Sequence, residues 1–138
     1  MIHEEICTYE VAKLAKEKGF NVPTDHYYHI YNDVIEAQNS LEMTSDGCAD
    51  FYNSLNRCRC AAPTQSLLQR WLREKKGVTI CVDIFDDGWF FDISTFYKQD
   101  TGVYEVEIPY KSSNVSPVYD TYELALENAL KYALKNLV

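Results

Sequence analysis

The stretch VTICVDIFDDGWFFDISTFY, Val78 to Tyr97, decides how this chain folds. In its first half Val78, Ile80, Val82 and Ile84 alternate with Thr79, Cys81, Asp83 and Phe85, the period-two pattern of a half-buried strand. Asp87-Gly88 is a tight-turn dipeptide, so WFFDISTFY is expected to return antiparallel. A turn at Asp87-Gly88 pairs Asp86 with Trp89, Ile84 with Phe91 and Val82 with Ile93, so the apolar faces match. The same register sets Asp83 across from Asp92 on the face away from the core. Like charges directly opposite cost roughly 0.2–1 kcal/mol, so the pair needs a reason.

Downstream, VYEVEI alternates again, with Tyr104, Val106 and Ile108 opposite Glu105 and Glu107, and Pro109 closes the strand. The last helix is expected from Asp120, which caps it as the first residue of an Asp-Thr-Tyr-Glu capping box. Tyr122, Leu126, Ala129, Leu130, Ala133 and Leu137 form its buried stripe, and Glu123, Glu127, Lys131 and Lys135 a solvated row.

Upstream of the hairpin, APTQSLLQRWLREKKG reads as a helix that starts after Pro63-Thr64 and stops at Gly77. Leu67, Leu68, Trp71 and Leu72 share one face, with Gln65, Gln69, Arg73 and Lys76 opposite. A first helix spans about Thr8 to Lys18, capped by Thr8 and stopped by Gly19. DHYYHIY, Asp25 to Tyr31, reads as an aromatic strand. Residues 36–61 show no clear period and read as a long loop or insertion. The expectation is one domain over residues 1–138 of class α+β. It has an antiparallel sheet of three to four strands, about three helices on one face, and the order α-β-loop-α-β-β-β-α.

Composition narrows the function. Thirteen basic against 21 acidic residues give a net charge of −8, which disfavours nucleic acid because phosphate neutralisation dominates that binding. The N-terminus has no apolar signal core, no segment nears the ~20 apolar residues of a membrane span, and five cysteines is an odd number. A cytoplasmic protein with reduced thiols and no membrane partner is expected. No nucleophile elbow, P-loop or dinucleotide glycine motif occurs, so no catalysis and no cofactor are expected.

Three constellations remain. Asp83 and Asp92, with Glu105 and Glu107, form an acidic sheet face that suits a basic partner, a divalent cation or simple solvation. His26, His29, Cys48, Cys58 and Cys60 are zinc-ligand types, but Cys58-Arg-Cys60 is not a CxxC knuckle. Cys7 and Cys81 read as small core residues. Arg70, Arg73, Lys75 and Lys76 could contact an anion; the last two already complement the helix dipole, which leaves Arg70 and Arg73 unexplained.

APTQSLLQRWLREKKG, CTYEVAKLAKEKGF, DHYYHIY and YDTYELALENALKYALKNL together resemble a family of small proteins encoded in bacteriophages, prophages and Bacteroides-type genomes. The resemblance covers about two thirds of the chain and implies no activity and no catalytic residues. The Cys-bearing segment between Asn39 and Ala61 departs from that pattern. YEVEIPYKSSNVSPVYDTYELALENALKYAL is similar, more weakly, to antitoxins of the HicB type, in which strands precede an acidic, Ala-rich helix; their PDLPG-like segment is missing. The expected role is binding to a protein partner or to another copy. A HicB-like antitoxin and a metal-binding protein are the alternatives.

Overall fold

The computed structural model describes residues 2–30, 40–44, 51–53, 58–98, 100–102, 104–111 and 118–138, with the side chains of 96–98 and 104–111 excepted. The elements run α1 (Tyr9–Glu17), β1 (His26–His29), β2 (Ser40–Met43), β3 (Arg59–Ala61), α2 (Gln65–Lys76), β4 (Val78–Phe85), β5 (Gly88–Lys98), β6 (Tyr104–Lys111) and α3 (Tyr122–Asn136). The chain is α+β and its strands pair antiparallel, as the periodicities require. The strands divide between two three-stranded sheets, ordered β2-β1-β3 and β4-β5-β6. Two compact units result, Met1–Leu67 and Leu68–Val138.

In the first unit, α1 begins where Thr8 Oγ1 accepts from Val11 N–H at 3.5 Å. It buries Tyr9, Val11, Ala12 and Ala15. Tyr9, Ala12 and Cys60 form a cluster against which Tyr28 and Ile30 pack, with the Tyr9 and Tyr28 rings edge-to-face at 5.5 Å. The aromatic strand β1 is the central strand of its sheet. Its partners lie inside the segment expected to be a loop: β2 pairs His26 with Met43 and β3 pairs Tyr28 with Cys60. Strands of three and four residues are too short to show alternation, and only the need of a central strand for two neighbours betrays them. Asn53, between them in sequence, is buried.

In the second unit, the hairpin closes one position earlier than Asp87-Gly88 implies. Phe85 pairs with Gly88, and the turn residues are Asp86, at φ 54, and Asp87. Asp tolerates the left-handed region better than most residues, which makes this turn accessible. The shift leaves every residue on its expected face but changes its neighbour. Asp83 now faces Phe90 and Asp92 faces Cys81. Gly88 serves close approach: a Cβ there would strike the Val118 side chain and lie 3.0 Å from Tyr119 O. Beside it, Trp89 and Tyr119 exchange backbone hydrogen bonds of 2.8 and 2.7 Å. Strand β6 runs past Pro109 to Lys111, because a bulge between the Ile93–Tyr110 and Thr95–Glu107 pairs accommodates a residue that lacks an N–H.

Helix α3 lies against β4 and β5. Its cap is Thr121, whose Oγ1 accepts from Leu124 N–H at 3.0 Å, and not Asp120. Ala125 and Leu134 join Leu126, Ala129, Leu130 and Ala133 in the buried stripe, whereas Tyr122 and Leu137 lie at its margins. Three buried leucines at about 1.5–3 kcal/mol each outweigh a cap of about 1 kcal/mol, so packing decides where this helix forms. Leu68, Trp71 and Leu72 of α2 are buried as their period requires, and Lys76 Nζ sits 5.4 Å from the Trp71 ring. Gln65, expected on the opposite face, is buried too. Cys7 is a core residue; Cys81 is exposed, since its place in the alternation puts it with Asp83 on the outer face.

Candidate functional site

The polar constellations come together less than the sequence implied. His26 and His29 are three residues apart on β1 and therefore point to opposite faces. His26 Nδ1 meets the Asp25 carboxylate at 2.8 Å, Cys60 is buried in the α1 cluster, and Cys58 is exposed. Cys48 lies outside the described residues, as do the side chains of Glu105 and Glu107. Among the described residues no group of three or more His, Cys, Asp or Glu is placed to hold a metal ion. The aromatic strand is occupied with structure: Tyr28 donates to Cys7 O at 2.6 Å and Tyr27 to Glu42 Oε2 at 3.1 Å.

Arg70 has a local explanation. Its Nε donates to Glu74 Oε1 at 2.9 Å across one helical turn. That hydrogen bond, helped by the charges of Arg70, Arg73 and Lys75, holds the Glu74 carboxyl below its ordinary pKa. A lowered folded pKa means that the pair supports the helix above the normal carboxylate range and stops doing so as pH falls through the lowered value. Both side chains are largely exposed, so the contribution is small. Arg73 is exposed on the same helix.

What the structure does assemble is the distal half of β4. Among the described residues this strand ends its sheet, so one long side is an edge. The direction of its backbone groups follows from alternation. Trp89 spends its N–H and C=O on Tyr119, on the side of β5 away from β4, so Gly88, Phe90 and Asp92 bond toward β4 at Phe85, Asp83 and Cys81. The N–H and C=O of Ile80, Val82 and Ile84 therefore point outward. Gln69 of α2 donates to Ile80 O at 3.0 Å and closes the proximal part of the edge. Farther along, the Asp83 carboxylate accepts from Ile84 N–H at 2.7 Å, a local cover.

The same half exposes apolar side chains on both faces. Ile84 is 59% exposed on the core-side face and Phe85 54% exposed on the outer face, where its ring meets Phe90 edge-to-face at 6.2 Å. Asp83, Asp86 and Asp87 are exposed around them. Asp92 shares the outer face with Asp83 diagonally, and its buried Oδ1 has no hydrogen-bond partner among the described residues.

No protein-family model, characterised protein or solved structure matches the chain.

Asp83 stands out in the sequence but its edge role does not, because a register and a strand order are needed to know which backbone groups lack a neighbour among the described residues. Ile84 and Phe85 look in the sequence like ordinary strand residues. The signal available was their position at the hairpin end, next to two consecutive aspartates. Among the described residues no helix is long and apolar enough to cross a membrane.

Proposed function

We propose that this chain is a non-catalytic binding protein of a mobile-element type, acting in the cytoplasm of a bacterial host. The distal edge of β4 takes up an extended, basic segment of a protein partner. The observation that carries the reading is the exposure of Ile84 and Phe85 on opposite faces of one edge strand. A strand laid beside β4 has side chains on both faces and covers both residues, whereas a partner lying flat on the sheet covers one. Backbone bonding supplies affinity, and Asp83, Asp86 and Asp87 select for lysine or arginine on the incoming strand. A second copy of this chain would bring another net charge of −8 to the same acidic edge and is the poorer partner. The order β4-β5-β6-α3 also supports a HicB-like reading, in which the partner is a small basic toxin.

Ile84→Pro provides the test. The Ile84 N–H points away from β5, so proline leaves the β4–β5 ladder intact while blocking an added strand. Tagged wild-type chain is expected to retain a basic protein from host lysate, and to release it at about 0.5 M salt, where screening is strong. The Ile84→Pro variant, with an unchanged circular dichroism spectrum, is expected to lose it. Equal capture by both forms sinks the proposal, and the identity of the captured protein separates a toxin from other partners.

A further inference from the structure

The Asp83 carboxylate is exposed on the outer face of β4, and it also covers the strand's edge by accepting from the Ile84 N–H at 2.7 Å. That N–H is one of the groups an added strand needs, because the N–H and C=O of Asp83 and Phe85 are turned toward β5. An incoming carbonyl therefore has to displace a carboxylate oxygen. Hydrogen bonds to an ionised acceptor are about twice as strong as those to a neutral one, so for a neutral strand the exchange is a loss.

A basic strand changes the balance. Asp83 bonds to Phe90 on β5, so on an added antiparallel strand the residue opposite Asp83 belongs to a non-hydrogen-bonded pair. In such a pair the Cα atoms are about 4.5 Å apart and the side chains at their closest. A lysine or arginine there receives the carboxylate as it leaves the amide. The residues on either side of it fall opposite Val82 and Ile84 on the core-side face, which suits apolar side chains. Gln69 closes the edge at Ile80 O, so the readable stretch is Val82 to Phe85. We propose that Asp83 gates this edge: a strand with an apolar-basic-apolar run draws the carboxylate off the Ile84 N–H and is taken up, whereas a neutral strand is refused. The gate rests on the edge-binding reading above and adds what the edge selects. A charge that only guards an edge against pairing leaves the exposed Ile84 and Phe85 beside it without a role.

The test is an NMR titration of the full chain, read at the amides of Val82 and Ile84, with the capped peptide Gly-Ser-Lys-Val-Lys-Val-Lys-Ser-Gly and its counterpart with glutamine at every lysine. At about 0.15 M salt, where more distant charges are screened, wild type is expected to prefer the lysine peptide at least about tenfold. In Asp83→Ala the preference should fall to about threefold or less, and the glutamine peptide should bind more tightly than it does to wild type. That gain is the signature of a gate, since simple attraction moves only the lysine peptide. Asp83→Asn keeps an oxygen for the Ile84 N–H and drops the charge, so it should lose the preference without the gain. Equal binding of both peptides to wild type, or an undiminished preference in Asp83→Ala, overturns the gate and leaves the edge reading standing. Refusal of both peptides by wild type with uptake of both by Asp83→Ala makes Asp83 a guard and overturns the gate as well. If no form binds either peptide by about 10 mM, the edge reading falls with it.

Discussion

Asn53 lies in a stretch with no apolar periodicity, yet its amide joins two backbone groups distant in sequence. Nδ2 donates to Phe20 O at 2.7 Å and Oδ1 accepts from Ala61 N–H at 2.8 Å, with the side chain buried. Removing it strands a carbonyl and an amide together. Asn53→Ala is expected to destabilise the chain by about 2–5 kcal/mol in urea unfolding, since each unpaired buried group costs roughly 1–3 kcal/mol. A loss below about 0.5 kcal/mol, the level of an ordinary surface change, would show that the amide does not hold the segment. Sequence reading had no way to single out this residue: an asparagine that ties backbone and one that faces water look alike until a fold gives them neighbours. Asp83 illustrates the same limit, because its carboxylate serves its own edge amide and not a pair with Asp92.

At the scale of elements, period and punctuation were legible. The three helices and the β4–β5–β6 meander appear where the spacing of apolar residues places them, and α1 and α2 are followed by Gly19 at φ 92 and Gly77 at φ 66. Boundaries were less so. Asp120 and Thr121 are both good caps, and only geometry chooses between them. Thr121→Ala should cost about 1 kcal/mol and Asp120→Ala only a few tenths, measured as a difference in unfolding midpoint. The reverse order would restore Asp120 as the cap. Strands β2 and β3 were missed because three or four residues complete at most two cycles of a period-two pattern.

For the whole molecule, charge is the property a sequence states most directly. A net charge of −8 should keep duplex DNA unbound in gel shifts even at about 50 mM salt, where electrostatic binding is strongest. A salt-sensitive shift would reverse that reading. Sheet membership is the opposite case, since it depends on contacts between distant segments. The hairpin register shows what that means. Turns at Asp86-Asp87 and at Asp87-Gly88 preserve the same faces, so core burial alone discriminates poorly between them. The observed choice sets Gly88 beneath Val118 and aligns Trp89 with Tyr119. Hairpins close in about 1–10 μs, before distant segments dock. The turn alone thus admits two alignments and the bridge to Tyr119 fits one, which makes Tyr119 a proofreader of β4 and β5: held to β5 by its bonds to Trp89 and its stack on Phe91, it decides which side chains of β4 those of β5 meet.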